Sequence, residues 1–135
     1  MVLTMISRSE ILKGKNCPPE LEENLTELLV KINKVRDGFG RSMTVTSGLR
    51  DKADQLRIYK AKGITDESKI PMSSKHFFCQ AVDISDPNQE LQKWIKENIS
   101  LVEKIGLWFE DFKTTTNWVH AQIVPPKSGN RFFKP

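Results

Sequence analysis

The stretch SKHFFCQAVD at residues 74–83, together with WVH at residues 118–120, decides the fold of this chain. The two segments hold both histidines of the chain, His76 and His120, and the carboxylate of Asp83. Two neutral imidazoles and one carboxylate give a zinc ion three ligands and leave the fourth tetrahedral position open for water, as in catalytic zinc sites. We therefore expect zinc at these residues. The alternative is an ordinary core histidine beside a capping or turn aspartate.

Alternation of residue types predicts that both segments are strands. In residues 81–84, Val82 and Ile84 would face the core, so Asp83 would face the other way. Residues 118–124 predict a second strand with two distinct faces. One face would carry Trp118, His120 and Gln122, and the other Val119, Ala121 and Ile123. If the two strands are neighbours, His120 and Asp83 can meet at one metal.

Caps and apolar periodicity predict helices around these strands. Ser7 and Glu10 form a capping box that opens a short helix ending at Gly14, and residues 18–20 open a longer helix. The apolar stripe of that longer helix comprises Leu21, Leu25, Leu28, Leu29, Ile32 and Val35. Residues 43–47 predict a strand, and Asp51 starts a helix that runs to Gly63.

The second half of the chain predicts a loop, a helical region and a hairpin. Residues 63–73 predict an irregular loop, and residues 86–87 open a helical region that continues to Ile105 with a break near Ser100. A hairpin closing at residues 113–116 follows. We expect one α+β domain over residues 1–135, with helices packed on one side of a small antiparallel sheet and zinc on its exposed face.

The motifs resemble those of a known family of zinc peptidases from bacterial cell walls and phage endolysins. That family includes D-alanyl-D-alanine carboxypeptidases and L-alanyl-D-glutamate endopeptidases, and it is related in fold to the hedgehog signalling domain. Its pattern is S-x-H-x-x-G-x-A-x-D, followed at a distance by an aromatic-x-H and preceded by S-G-Y-R. The chain matches it at Ser74, His76, Ala81, Asp83, Trp118 and His120, and it has TSGLR at residues 46–50 with Gln55 on the next helix. The resemblance runs from about Ile6 to the end and includes PPKSGNRFF at residues 125–133, as in short phage members.

The resemblance implies a zinc-dependent peptidase acting on the peptidoglycan stem peptide. The zinc ligands would be His76, Asp83 and His120. The planar guanidinium of Arg50 would bind a carboxylate of the stem peptide, unless Arg50 instead forms an ion pair at the helix start with an aspartate, Asp51 or Asp54. Ser74 would hold the peptide backbone or orient His76. The remaining residues expected to contact substrate are Gln55 and Trp118.

The chain departs from the family pattern at two positions. Cys79 stands where the family has glycine, and we expect a packed small side chain there rather than a soft metal ligand. Asn117 stands three residues before His120, where many members have the catalytic glutamate. An amide cannot act as a general base. Glu110 would replace it, because the hairpin places it across from His120, whereas the side chain of the competing Asp111 points to the other face. The alternative is an exposed acidic pair near a turn.

Composition limits the other classes of function. The chain has 135 residues, 38% of them hydrophobic, and a net charge of +4 without a run of basic residues, so we do not expect nucleic-acid binding. We see no signal peptide and no membrane span. We expect cytoplasmic synthesis, action on the cell wall, for example after phage lysis, a monomer, and two free thiols at Cys17 and Cys79.

The main rival from another class is a binding module that keeps the zinc site without catalysis and recognises cell wall or a protein partner. A structural phage protein without metal is a further alternative. A non-haem iron oxygenase also uses two histidines and a carboxylate. The seven-residue separation of His76 and Asp83 argues against it, because in that class the first histidine and the acid are usually two residues apart.

Overall fold

A five-stranded sheet forms the centre of the protein. The computed structural model describes residues 5–70 and 74–134. The strands are β1 (Val45–Ser47), β2 (Ala81–Ser85), β3 (Trp108–Glu110), β4 (Trp118–Gln122) and β5 (Phe132–Phe133). Their order across the sheet is β1-β2-β4-β3-β5. The expected strands around Asp83 and His120 and the hairpin of β3 with β4 are confirmed.

The sheet is mixed, whereas the sequence predicted an antiparallel one. Strands β1, β2, β4 and β3 pair antiparallel, but β5 runs parallel to β3. The chain reverses once between β4 and β5, so β5 runs opposite to β4 and therefore in the same direction as β3. Strand β5 has two residues, too few for an alternation pattern to reveal it. The α+β class itself is confirmed.

Five helices in the described residues accompany the sheet: α1 (Arg8–Leu12), α2 (Glu22–Phe39), α3 (Lys52–Ala61), α4 (Glu90–Glu97) and α5 (Ile99–Ile105). Ser7 and Glu10 form the expected capping box at α1. Asp51 caps α3, and its carboxylate accepts a hydrogen bond from the Asp54 backbone N–H at 2.8 Å. Short 3₁₀ turns lie at Pro19–Leu21, Glu67–Lys69 and Lys75–Phe78. No helix in the described part of the chain is both long enough and apolar enough to span a membrane.

Some predicted boundaries were wrong. Helix α4 begins at Glu90 instead of residue 87, because the Asp86 carboxylate accepts hydrogen bonds from the backbone N–H groups of Leu91 and Gln92 at 3.0 and 2.9 Å. The break between α4 and α5 lies at Asn98. The loop predicted at residues 63–73 contains the Glu67–Lys69 turn, and its residues 71–73 lie outside the described residues.

The core packs against one face of the sheet, which leaves the other face for polar side chains. The expected stripe on α2 is confirmed, with Leu25, Leu28, Ile32 and Val35 all buried. The sheet contributes to the same core Val82, Ile84, Phe109, Val119 and Ala121. Truncating a buried leucine in such a core costs about 2–5 kcal/mol. Because strand residues alternate between faces, fixing Val82 and Ile84 in the core fixes Asp83 on the opposite side.

Candidate metal centre

A row of side chains crosses the polar face of the sheet, one from each of four adjacent strands. Ser47 of β1 lies opposite Asp83 of β2, and Asp83 lies opposite His120 of β4. Phe109 of β3 lies opposite Ala121, so the same register places Glu110 opposite His120. Directly opposite residues share a face, and neighbouring strands lie about 4.8 Å apart. The structure therefore brings residues from distant parts of the chain into one line.

His76 reaches this row from the 3₁₀ turn just before β2. The Ser74 hydroxyl caps the turn and accepts a hydrogen bond from the His76 backbone N–H at 3.3 Å. Cys79 ends the turn in the left-handed conformation, with φ of 56°. This single turn therefore connects His76 to β2, the strand that carries Asp83. Ser74 thus lies where it can orient His76, one of its two expected roles.

The ligand atoms of His76, Asp83 and His120 converge. Asp83 Oδ1 lies 2.9 Å from His120 Nδ1 and 3.4 Å from His76 Nε2. All three ligand atoms lie within 4.8 Å of one another. The three side chains are largely buried, with at most 12% of each exposed. The residues predicted to bind metal are therefore together, and they could hold a metal ion.

Hydrogen bonds on the far side of each ring fix the histidine tautomers. His76 Nδ1–H donates to the Gly48 carbonyl at 2.8 Å, and a carbonyl can only accept. His120 Nε2–H donates to Gln122 Oε1 at 2.9 Å. The Gln122 amide cannot be turned around, because its nitrogen donates to the Val124 carbonyl at 2.7 Å. In the neutral rings, the nitrogens that face Asp83 therefore carry no hydrogen and present a lone pair.

Three acceptors consequently point at one another, an arrangement that could hold a metal ion between them. Burial lowers the pKa of His120, but the hydrogen bond and the charge of Asp83 outweigh burial and raise it. Burial raises the pKa of the Asp83 carboxyl, but contacts with His120 and His76 outweigh it and hold that pKa well below its usual range. Two imidazoles and one carboxylate also match the ligand set of an open zinc site.

Arg50 holds the second oxygen of the Asp83 carboxylate. Its Nη2 lies 3.3 Å from Asp83 Oδ2, which leaves Oδ1 for the histidine side. Its Nε donates to Ser47 Oγ at 2.9 Å and its Nη1 to Gln55 Oε1 at 3.4 Å. Arg50 lies at the expected strand-to-helix junction, but its ion pair is with Asp83 instead of Asp51 or Asp54. Gln55, expected to contact substrate, is only 1% exposed and lies beside Arg50.

Glu110 is half-buried on the metal side of β3. Burial raises its pKa, as does the charge of Asp83, while His120 acts in the opposite direction. Phe133, paired with Glu110 in β5, has its ring centroid 6.0 Å from that of His120. Glu110 therefore does not belong to an exposed acidic pair. It is a partly desolvated carboxyl next to the candidate ligands, which makes it suitable for proton transfer.

Asp111 and Asn117, two other candidate residues, accept hydrogen bonds from backbone N–H groups. Asp111 follows the end of β3, and its Oδ1 accepts a hydrogen bond from the Lys113 N–H at 3.2 Å, within the turn. Asn117 is exposed, and its backbone carbonyl accepts a hydrogen bond from the Asp86 N–H at 2.8 Å.

Trp118, expected to contact substrate, shares a strand face with His120 and is 36% exposed.

Cys79 is a packed thiol, as expected. It is fully buried within the core cluster, and burial raises its pKa to about 11. A thiol with such a pKa stays protonated at neutral pH and is a poor metal ligand. Its backbone is left-handed, a conformation that glycine adopts more readily than other residues. Cys17 and Cys79 are both free.

Sequence reasoning missed three contributors to the site: Gly48, Gln122 and Phe133. Gly48 acts through its backbone carbonyl, which no side-chain pattern reveals. Gln122 was placed on the His120 face, and a polar residue two positions from a ligand was the available signal. Phe133 lies on the short strand β5, which the sequence did not predict. Gly48 and Gln122 hydrogen-bond to the two candidate histidine ligands, and the Phe133 ring lies edge-on to that of His120.

Comparisons with protein-family models, curated proteins and solved structures found no match for this chain. The geometry of His76, Asp83 and His120 therefore carries the interpretation of the site.

Proposed function

We propose that the protein is a zinc-dependent peptidase that hydrolyses peptide bonds in the peptidoglycan stem peptide, as a carboxypeptidase or an endolysin-type endopeptidase. The observation that carries the proposal is the convergence of three acceptor atoms, from His76, Asp83 and His120, next to the partly desolvated carboxyl of Glu110. The resemblance of residues 74–83 and 118–120 to cell-wall peptidases supports the choice of substrate. The same resemblance supports action on the cell wall.

The two histidines and Asp83 would hold the ion, and Gly48, Gln122 and Arg50 keep the atoms of these candidate ligands turned inward. When bound there, zinc would supply Lewis-acid chemistry, which activates water at a pKa of about 7 and polarises the scissile carbonyl. Glu110 takes a proton from the attacking water as the water oxygen bonds to the carbonyl carbon. It then gives that proton to the leaving amine as the C–N bond breaks. A raised pKa suits Glu110 to this role, because the residue must both accept and release the proton.

The remaining expected site residues are Trp118, Arg50 and Ser74, and the place of each relative to the candidate ligands indicates its role. Trp118 offers an exposed aromatic surface on the metal face. Among the described residues, three of the five Arg50 N–H groups have side-chain partners, and we propose that Arg50 both positions Asp83 and meets a substrate carboxylate. Ser74 orients His76.

The second candidate function is a non-catalytic binding module for cell wall or a protein partner. Asn117, at the position where many members of the peptidase family have their catalytic glutamate, favours this candidate. The two candidates differ only in turnover, so they are separated by measuring bond cleavage and binding in the same samples.

The experiment incubates zinc-loaded protein with purified peptidoglycan and identifies the released fragments by mass spectrometry. Glu110→Gln should keep its zinc and lose about a hundredfold or more of the hydrolysis rate, the effect of removing a general base. Asp111→Asn is the matched control and should cleave nearly as fast as wild type. Capture of peptidoglycan without cleavage by the wild type would establish the binding module instead. An inactive Asp111→Asn with an active Glu110→Gln would transfer the role to Asp111.

A further inference from the structure

Two adjoining cavities of about 280 and 380 Å³ lie at the end of the sheet where β2 leads into α4. They share the wall residues Phe39, Arg41 and Glu90, so together they form one groove. We propose that this groove binds the glycan strand of peptidoglycan, through the N-acetylated sugars next to the stem peptide that is cleaved. This inference rests on the proposed function, because it names the part of the substrate that is recognised beside the peptide.

The groove reaches the metal face of the sheet. Ser85, which lines the groove, shares a strand face with Asp83 and lies two residues further along β2. At about 3.3 Å per residue, the groove begins about 7 Å from a candidate ligand. Thr44 lies beside Ser85 in the same wall, since its carbonyl accepts a hydrogen bond from the Ser85 N–H at 2.9 Å. A ligand in the groove can therefore be joined covalently to a peptide at the metal centre.

The charges in the groove wall are balanced within the protein. Arg41 forms an ion pair with Glu90, and Lys93 Nζ lies 3.9 Å from Glu97 Oε1. The Asp86 carboxylate accepts two backbone hydrogen bonds from the start of α4. A wall whose charges are already paired favours an uncharged ligand, because an ion would displace water there without gaining a counter-charge.

The rest of the wall combines aromatic rings with uncharged polar groups. Trp94 is half-buried, and its ring centroid lies 6.2 Å from that of Phe39, edge to face. The backbone of Gly38 lies close against the Trp94 ring, since a Cβ there would lie 2.6 Å from it. The hydroxyl and amide groups of the wall come from Ser42, Thr44, Ser85 and Asn88. A pyranose sugar, with an apolar C–H face and a rim of hydroxyl and amide groups, matches this mixture.

The distance from the metal centre indicates which bond the site would cleave. In peptidoglycan the sugar carries the stem peptide through a lactyl group. The bond between the first and second residues therefore lies about two residue lengths, or about 7 Å, from the sugar ring. The terminal D-alanyl bond lies three residues further away, about 10 Å more. A sugar held in the groove would align the first peptide bond with the candidate ligands, so we expect L-alanyl-D-glutamate endopeptidase activity.

The test compares two ligands that differ only in the sugar. One is the pentapeptide linked through its lactyl group to the N-acetylated disaccharide, and the other is the same lactyl-pentapeptide without sugar. Each is titrated by calorimetry into the zinc-loaded Glu110→Gln protein, so that no cleavage disturbs the measurement. We expect the disaccharide form to bind about tenfold or more tightly, the gain that two ordinary hydrogen bonds would give.

A pair of variants in the same background locates the sugar. Thr44→Val/Asn88→Ala removes two exposed polar groups from the groove wall and should abolish the preference for the disaccharide form. The matched control, Thr26→Val/Asn130→Ala, makes the same changes at exposed positions outside the groove and should keep the preference. Circular dichroism and zinc content check that each variant is folded and loaded, and the comparison of the two ligands in the parent protein depends on neither variant.

The proposal is overturned if the two ligands bind equally, if neither binds at millimolar concentration, or if the groove variant keeps the preference. Release of only the terminal alanine from peptidoglycan by the wild type would also overturn it. Failure of the proposed function looks different. In that case the wild type would prefer the disaccharide form as described but would cleave neither ligand nor peptidoglycan.

Discussion

Replacing Gln122 with leucine should weaken zinc binding without removing a ligand. Gln122 accepts from His120 Nε2–H at 2.9 Å and is anchored by its donation to the Val124 carbonyl at 2.7 Å. Leucine has a similar size but no acceptor, so His120 loses the bond that keeps its Nδ1 lone pair directed at the metal. Removing such a supporting partner costs about 10–100-fold in metal affinity. This corresponds to about 1.4–2.8 kcal/mol.

The assay is competition for zinc with a chromophoric chelator at pH 7. Gln92→Leu is the matched control, because Gln92 and Gln122 are each 4% exposed and Gln92 donates to the Thr115 and Trp118 carbonyls instead. Each variant should lose about 1–3 kcal/mol of stability in the metal-free protein, since each leaves buried groups unpaired. Only Gln122→Leu should bind zinc more weakly. Equal zinc affinity in the two variants would refute the reasoning that Gln122 sets the tautomer.

Four further predictions concern other residues of the structure. His76→Ala should abolish the binding of one zinc per chain, and unchanged zinc content by elemental analysis would contradict it. Arg50→Lys should remain folded and zinc-loaded but turn over more slowly, because an ammonium cannot reproduce a planar three-way contact; equal kcat/KM would assign Arg50 to structure. Gly48→Ala should lose about 1–3 kcal/mol of unfolding free energy in urea, since a Cβ would lie 2.0 Å from the Ile11 carbonyl oxygen. Burial raises the pKa of Asp54, but hydrogen bonds outweigh burial and lower that pKa to about 2. The stability that the Asp54 carboxylate contributes is therefore present above about pH 4 and is lost as pH falls through about 2. The stability difference between wild type and Asp54→Asn should therefore shrink over that pH range.

The sequence predicted the ligand-bearing strands well because their pattern is local and strict. Val82 and Ile84 flank Asp83, and Val119 and Ala121 flank His120, so period-two alternation fixes the face of each candidate ligand. Packing the apolar faces together then places Asp83 and His120 on the same face of the sheet, and the structure adds that they lie directly opposite each other. The hairpin predicted from the sequence placed Glu110 across from His120, and the one-residue offset turned Asp111 to the other face.

Other features depended on contacts between distant segments. The carbonyl of Gly48 has no signature in the sequence, and β5 is too short to show one. The partner of Arg50 could not be chosen from sequence, because Asp51 and Asp54 are near in the chain whereas Asp83 is near only in the folded sheet. The start of α4 was misplaced for a similar reason, since Asp86 caps the helix from four residues before its first turn.

The separation of the candidate ligands along the chain determines when the metal site can form during folding. His76 and His120 are 44 residues apart and become neighbours only after β2 has paired with β4. Closing a loop of that length costs about 3 kcal/mol of chain entropy, so an unfolded chain would hold the ion weakly. Since the candidate ligands converge through the pairing of β2 with β4, an ion would bind to a sheet that is already assembled. Unlike a zinc finger, which needs its metal in order to fold, this protein would keep its fold when a chelator removes the ion, and it would recover the ion without refolding.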